Sequence, residues 1–200
     1  MVQGSKKANS GAPPASEDAG HVLGILSSLF TNIASETPAR LRLLTKFVEN
    51  NYEKADKLLE IRDSAQNRLT VVDAEIEKER KELVAGGDEI GTEEEDTWYL
   101  RRLDGGLFTL QTVDYILAWI CMEDDGVSGI ISSHKRHIIT CFQVQFHLTQ
   151  MLDRKSKSLK DIVRTLQVYH DNVEEGEGDE DGGAMQKEIL RNLIAFLDSC

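Results

Sequence analysis

A chain of 200 residues with 40% hydrophobic and 29% charged side chains is long enough to bury a core and polar enough for a globular domain. Its formal net charge of −12 argues against a general nucleic-acid binder, because the phosphate backbone would be repelled, and it favours a basic protein partner. The three cysteines are widely spaced and form no CxxC motif, which is typical of thiols in a reducing compartment.

The chain begins with a leader rich in glycine, serine, alanine and proline. Residues 1–19 are therefore predicted to be disordered, and no apolar run reaches the roughly 18 residues that would cross a bilayer. From residue 20 to residue 173 the spacing of apolar side chains predicts a helical segment. Its clearest helix start is at Thr37, which can act as the cap, with Pro38 in the first helical position.

A longer and more polar helix is predicted from about Tyr52 to Val84. Its apolar side chains alternate spacings of four and three residues, which forms a heptad seam with charged interruptions at Arg62 and Glu79. The apolar members of this seam are Leu58, Ala65, Leu69, Val72, Ile76 and Leu83. Two interpretations stay open: the helix packs inside its own domain, or it forms a coiled coil with another chain.

After the glycine-rich stretch AGGDEIGT, a second helix start is predicted at Thr92. Glu95 lies three residues later, as in a capping box, and the neighbouring acidic residues suit the positive end of a helix dipole. Apolar residues then cover two faces, which predicts a central helix. Gly105 and Gly106 fall inside this helical pattern instead of following a strand, so they indicate a close helix crossing rather than a phosphate-binding loop.

Charged residues precede the glycine pair and form a candidate patch for helix packing or for a partner. The patch consists of Arg101, Arg102, Asp104, Gly105 and Gly106. Arg101 can pair with Asp104 three residues later. Alternatively, one of the two arginines reaches a carboxylate on the preceding long helix and sets how the two helices pack. A surface for a partner is the third interpretation.

The remaining chain is less regular. Around residues 138–146 the apolar residues alternate, so that either a strand or a helix is compatible with the pattern. A helix is predicted near residues 158–173, an acidic linker over residues 174–183, and a last amphipathic helix over residues 184–200.

No catalytic constellation is recognisable. His134, His137 and Cys141 have the spacing of some metal ligands, but a zinc site needs a fourth ligand, so core or solvated side chains are the preferred interpretation. Nucleophile elbows, phosphate-binding loops and metalloprotease motifs do not occur. The chain is therefore expected to be an all-α protein that is not an enzyme and uses no cofactor, such as part of an α-solenoid.

Several stretches carry a family resemblance, most specifically KFVENNYEKADKLLE and YLRRLDGGLFTLQ. Together with HVLGILSSLF, LKDIVRTLQVYHDNV and KEILRNLIAFL, they resemble the C-terminal part of the beta-catenin-like protein 1 family. The resemblance implies the C-terminal helices of an armadillo- or HEAT-like α-solenoid with one long helix, in a nuclear, spliceosome-associated protein. Members of that family recognise basic, nuclear-localisation-type segments. The stretch around Ile138–Phe146 is longer than the family pattern, and we take it as an insertion or a gene-model artefact.

The leading expectation is thus a non-enzymatic protein-interaction scaffold that serves pre-mRNA splicing in the nucleus. Its expected partners are splicing-complex proteins, including their basic segments, without direct binding to nucleic acid or membrane. The alternative is a coiled-coil oligomerisation module that uses the Leu58–Leu83 seam. The oligomeric state stays open between them.

Overall fold

The computed structural model describes residues 15–35, 37–126, 138–174 and 182–200. These residues contain helices α1 (Ala15–Asn32), α2 (Pro38–Gly86), α3 (Thr92–Arg102), a π-helical turn (Leu103–Leu107), α4 (Phe108–Gly126), α5 (Ile138–Asp153), α6 (Leu159–Asp171) and α7 (Gly182–Ser199). No strand occurs among the described residues, and the predicted all-α class is confirmed.

Helix α2 starts and stops where its sequence predicts. Thr37 is its N-cap, and the Thr37 side chain accepts a hydrogen bond from the backbone N–H of Arg40 at 3.2 Å, with Pro38 in the first turn. At the other end Gly87 adopts a left-handed conformation with φ 85°, and its N–H bonds to the carbonyl of Val84 at 3.2 Å. Glycine takes this conformation without a steric penalty, which explains why the helix ends at AGG.

A break divides α2 into two helical segments. Asn50, Asn51 and Tyr52 all have positive φ, between 55° and 65°. Asparagine tolerates the left-handed region, whereas a bulky tyrosine rarely enters it. The Tyr52 ring stacks on His147 of α5 with centroids 4.3 Å apart, and His147 Nε2 lies 2.7 Å from Asp56 Oδ1. The long helix therefore begins just after Tyr52, close to its predicted start.

The predicted capping box of α3 is wrong by one residue. The N-cap is Gly91, in an extended conformation, and the Glu94 carboxylate accepts a hydrogen bond from the Gly91 N–H at 2.9 Å. Thr92 is the first residue inside the helix. A cap residue needs an extended backbone, and here the glycine provides it instead of the threonine.

The ambiguous stretch around residues 138–146 is helical, as part of α5. Val144 and Leu148 are buried, while Phe146 is 60% exposed, which is a helical and not an alternating pattern. The insertion stays a hypothesis. His134 and His137 lie outside the described residues, and of Cys141 only the backbone, within α5, is described.

Three predicted segment boundaries can be compared with the helices and the described residues of the structure. α1 already starts at Ala15, before the expected end of the leader at residue 19, and residues 1–14 lie outside the described part. Most of the acidic linker, residues 175–181, also lies outside it. α7 starts at Gly182 rather than at residue 184.

Helix α4 is the centre of the molecule, and α1, α2, α5, α6 and α7 all pack around it. Val113, Ile116, Leu117 and Ala118 are completely buried there. The continuous helical stretch Thr92–Glu123 is long and apolar enough to cross a membrane by length and composition, but 67% of its most apolar window is buried by neighbouring helices. Such burial is expected of the core helix of a bundle, so the apolar character of this stretch is accounted for by packing.

Candidate protein-interaction surface

The first charged residue of the heptad seam, Arg62, is buried in an ion pair. Its Nε donates to Asp114 Oδ1 of α4 at 2.6 Å and its Nη2 donates to Oδ2 at 3.2 Å. Both side chains are at most 1% exposed. Burial raises the pKa of Asp114, while the charge and hydrogen bonds of Arg62 oppose that shift. This bidentate ion pair determines how α2 lies against α4.

A second buried ion pair joins the first two helices to α4. Arg40 Nη2 donates to Glu123 Oε1 at 2.9 Å, and Arg40 Nη1 donates to the backbone carbonyl of Phe30 at 2.6 Å. The guanidinium also lies 4.6 Å from the ring centres of Phe30 and Trp119. Ser35 donates a further hydrogen bond to Glu123 at 2.7 Å. Arg40 therefore holds the C-terminus of α1, the start of α2 and the end of α4 together.

A third polar contact joins α2 to the turn between α5 and α6. Asp63 is paired with both Lys155 and Lys157, the latter at 2.7 Å. Partial burial raises the pKa of Asp63, but the hydrogen bonds and charges of the two lysines outweigh this and hold the pKa below its ordinary value. The contact thus depends on an ionised Asp63.

The glycine pair marks a close crossing of helices. A Cβ atom on Gly105 would lie 2.6 Å from Val72 Cγ2, and one on Gly106 would lie 2.7 Å from the backbone oxygen of Ala65. Gly106 also has φ 129°, inside the π-helical turn. The structure therefore brings the glycines of the candidate patch against two residues of the heptad seam.

The heptad seam packs inside this chain. Leu58, Ala65, Leu69 and Ile76 are buried, and Val72 and Leu83 are half-buried. Ala65 and Leu69 form a small apolar cluster with Leu107 and Leu110 of the π-helical turn and α4. The surface that a second helix would need for a coiled coil is thus largely covered by the helices that follow α2.

The two arginines of the patch both reach across to α2. Arg101 Nη1 donates to Glu79 at 2.6 Å, and Arg102 Nε donates to Asp73 at 2.8 Å. Asp104 is exposed and forms no ion pair with a described residue, so the predicted Arg101–Asp104 pair is not formed. Of the interpretations offered by the sequence, contact with carboxylates of the long helix is the one that the structure shows.

Glu79, the second charged residue of the seam, links α2 to α3 through two donors. Besides Arg101, the indole Nε1 of Trp98 donates to it at 3.2 Å. The hydrogen bond from Arg101, followed by that from Trp98, lowers the pKa of Glu79 below its ordinary value. Trp98 itself is only 7% exposed, with the Arg80 guanidinium 5.3 Å from its ring centre.

A groove of about 560 Å³ lies between the end of α2 and the start of α3. Acidic side chains predominate among the residues that line it, and Leu83 and Trp98 supply apolar surface. We call it the acidic groove and define it by its lining residues, which are Glu79, Glu82, Leu83, Asp88, Glu93, Glu94, Thr97, Trp98 and Arg101. Arg101, the cation among them, is paired with Glu79 at 2.6 Å. Asp88 and Glu93 are exposed and have no cationic partner among the described residues.

Sequence reasoning missed the acidic groove because it explained Glu93 and Glu94 only as a helix start. The signal that could have found it is the presence of acids on both sides of the glycine-rich turn, with a tryptophan nearly two turns into α3. In the part of the chain that the structure describes, no group of three His, Cys, Asp or Glu side chains could hold a metal ion.

A family model described as catenin-beta-like, Arm-motif containing and nuclear matches residues 1–167. The chain belongs to this catenin-beta-like family. The match runs from the N-terminus into α6.

Relatives of this family agree with that match. The chain is 35% identical over 176 residues to beta-catenin-like protein 1 of Bos taurus and 34% identical to that of Homo sapiens, each match covering 88% of the chain and 28% of the relative. It is 30% identical over 156 residues to the beta-catenin-like protein 1 homolog of Schizosaccharomyces pombe, which covers 78% of the chain and 23% of the relative. The chain thus spans about a quarter of the length of these curated relatives.

The family resemblance that the sequence motifs indicate is therefore confirmed, and so is the armadillo-type, all-α solenoid class. The Arm-motif description and the names of the relatives support a non-enzymatic armadillo scaffold. Neither the description nor the names denote a known class of enzymes.

Proposed function

We propose that this chain is a protein-interaction segment that acts in pre-mRNA splicing complexes in the nucleus, and that its acidic groove holds a lysine- and arginine-rich segment of a splicing protein. The observation that carries the proposal is the acidic groove itself, placed on a scaffold whose family is described as Arm-motif containing and nuclear.

The chemistry of the acidic groove suits a basic peptide. Asp88 and Glu93 offer carboxylates that no described cation neutralises, and charge-assisted hydrogen bonds to lysine or arginine are stronger than neutral ones. Leu83 and Trp98 supply apolar surface for the aliphatic stems of those side chains. A groove with both features selects long cationic side chains over short or acidic ones.

The net charge of the whole chain also favours binding of a basic segment. A formal net charge of −12 attracts a basic segment over a distance and accelerates its encounter with the surface. It also opposes direct binding of nucleic acid, whose phosphates carry the same sign. Because the Debye length is about 8 Å at physiological ionic strength, binding to the groove should weaken markedly as salt is added.

The test is affinity purification of the tagged chain from nuclear extract treated with nuclease, followed by mass spectrometry. A groove variant combines Asp88→Lys with Glu93→Lys. A matched control combines Glu174→Lys with Asp198→Lys, two exposed acidic residues elsewhere, and changes the net charge by the same amount. Circular dichroism establishes first that both variants are folded.

We expect splicing proteins to co-purify with the wild type and with the control, and to be lost with the groove variant. A folded wild-type chain that retains no splicing protein would contradict the splicing role. Equal retention of splicing proteins by the groove variant would place recognition on another surface. If the control variant lost them as completely as the groove variant, overall charge and not the groove would explain the binding.

A further inference from the structure

A second groove, of about 380 Å³, lies between the middle of α2, the π-helical turn and α6. Its floor is apolar, since it is lined by Leu69, Leu107, Leu110 and Val168, and the three leucines are at most 3% exposed. The charged side chains that line it are mostly cations and belong to Arg62, Arg102, Lys157, Arg164, Asp73 and Asp161. We call this groove the basic groove.

The wall that α6 contributes carries a surplus of positive charge. Residues 154–164, which form the turn between α5 and α6 and the first turns of α6, hold five cations and one carboxylate. Lys155 and Lys157 share a single carboxylate of α2. Lys160 is exposed and forms no ion pair with a described residue, and it lies one helical turn before Arg164 on the same side of α6. This wall is therefore more positive than the described carboxylates neutralise.

Two arginines of the basic groove keep hydrogen-bond donors free for a ligand. Arg164 Nη1 donates to Asp161 at 2.9 Å, and Arg102 Nε donates to Asp73 at 2.8 Å. Neither guanidinium forms a second hydrogen bond with a described residue, although each carries five N–H donors. The Arg164 side chain is 74% exposed and that of Arg102 is 32% exposed. Each arginine can thus bind a further carboxylate and keep its internal partner.

The formal net charge of −12 does not exclude an acidic ligand from this place. Asp63, which the lysines of the α5–α6 turn contact, precedes Glu82 of the acidic groove by 19 residues of continuous helix, or about 28 Å. That is more than three Debye lengths of about 8 Å each at physiological ionic strength. The acidic groove is therefore largely screened from the start of α6, where the local surplus of cations decides what binds.

We propose that the basic groove is a docking surface for an acidic segment of a partner protein, one that carries apolar side chains among its carboxylates. Lys160 and Arg164 are about 6 Å apart along α6, and alternate residues of an extended peptide have nearly the same spacing, about 6–7 Å. The cations hold the carboxylates, and the apolar floor accepts a neighbouring side chain of the segment. This surface is separate from the acidic groove, so its failure would leave the proposed function unaffected.

The experiment measures binding of a defined acidic peptide to the full 200-residue chain by fluorescence anisotropy in about 0.15 M salt. The probe is a fluorescein-labelled peptide of about eight residues, roughly 26 Å when extended, in which glutamates alternate with leucines. Two comparison ligands replace this probe in turn. One is the same peptide with glutamines in place of the glutamates, and the other is a polyuridine RNA of the same number of residues.

The main variant removes two cations from the wall of the groove. It combines Lys160→Gln with Arg164→Gln, both of which are exposed positions. The matched control combines Arg42→Gln with Arg191→Gln, two exposed cations that do not line the groove, of which Arg191 pairs with a carboxylate three residues earlier as Arg164 does. Lys160→Gln alone serves as a second variant, since that side chain has no ionic partner among the described residues to lose. Circular dichroism establishes that all variants keep the helical signal of the wild type.

We expect the glutamate peptide to bind the wild type and the control equally, and to bind the double variant at least about tenfold more weakly, with Lys160→Gln in between. The glutamine peptide should not bind. The proposal would be overturned by a wild type that does not bind the glutamate peptide, or by equal weakening in the control. Tighter binding of the RNA than of the peptide would also overturn it, because the surface would then recognise phosphates of a nucleic acid. Self-association in light scattering that only the double variant abolishes would overturn it as well, since the occupant would be a second copy.

Discussion

Replacing Gly106 by alanine should be among the most damaging single-methyl changes in this protein. The new Cβ would lie 2.7 Å from the backbone oxygen of Ala65, and the backbone at Gly106 has φ 129°, which side chains other than hydrogen rarely allow. Strained backbone of this kind costs about 1–3 kcal/mol, and overpacking against an atom that cannot rotate away costs about 1–3 kcal/mol more. The sum of about 2–6 kcal/mol is a large part of the stability of an ordinary domain.

The neighbouring glycine provides a matched comparison. A Cβ atom on Gly105 would come within 2.6 Å of Val72 Cγ2, a half-buried side chain that can move. The overlap costs about 1–3 kcal/mol, and alanine recovers about 1 kcal/mol of helix propensity, so Gly105→Ala should lose only about 0–2 kcal/mol. Gly24→Ala, with open space around its Cβ, should instead stabilise the chain by about 0.5–1 kcal/mol.

Urea unfolding followed by circular dichroism measures the three free energies, and thermal melting gives an independent order. For a chain of this size about 1 kcal/mol corresponds to about 2–4 °C, so Gly106→Ala should lower the melting temperature by at least about 4 °C. Adding Val72→Ala should relieve Gly105→Ala but leave Gly106→Ala unchanged. If Gly106→Ala were as stable as Gly105→Ala, the close crossing and the strained backbone at Gly106 would not be properties of this fold.

Three further changes test the polar contacts and the heptad seam. Arg62→Leu alone should destabilise the fold by about 3–5 kcal/mol because it leaves Asp114 buried without its partner, and adding Asp114→Leu should restore most of that loss in urea unfolding. Asp63 has a folded pKa below its unfolded value of about 3.9, so its contact with two lysines stabilises the fold above that pH, and this stabilisation is lost as the pH falls through the folded pKa. Asp63→Asn should therefore lower the melting temperature at pH 7 and make no difference at a pH below the folded pKa. Leu69→Ala should lower the free energy of unfolding by about 2–5 kcal/mol, because Leu69 is buried within the chain. The urea midpoint of the wild type should not depend on protein concentration, and a midpoint that rises with concentration would support the coiled-coil interpretation instead.

The local features of this fold were predictable from sequence because their causes are local. Thr37 followed by proline starts α2, and the glycines after Val84 end it, since capping and left-handed glycine depend only on nearby backbone groups. The one-residue error at the start of α3 has the same origin. Gly91 and Thr92 are both acceptable caps, and it is Gly91 that has the extended backbone of a cap, while Thr92 lies inside the helix.

The candidate patch shows how far such reasoning extends. The sequence indicated that Gly105 and Gly106 meet another helix and that an arginine could reach a carboxylate on α2, but not which carboxylates. Arg101 with Glu79 and Arg102 with Asp73 are separated by 22 and 29 residues along the chain, so their pairing depends on how α3 lies across α2. The acidic groove escaped prediction for this reason, because its walls come from two helices.

The family, the helical class and most helix ends were thus determined by the sequence, through motifs, apolar spacing and caps that act within a few residues. The tertiary structure alone decided that the charged interruptions of the heptad seam are bound by α3 and α4, that the seam lies within the chain, and that Val22 and Ile25 of α1 stay exposed. These outcomes depend on the packing of helices distant in sequence, where burial makes an unpaired charge costly and selects the one arrangement that pairs Arg62 with Asp114 and Arg40 with Glu123.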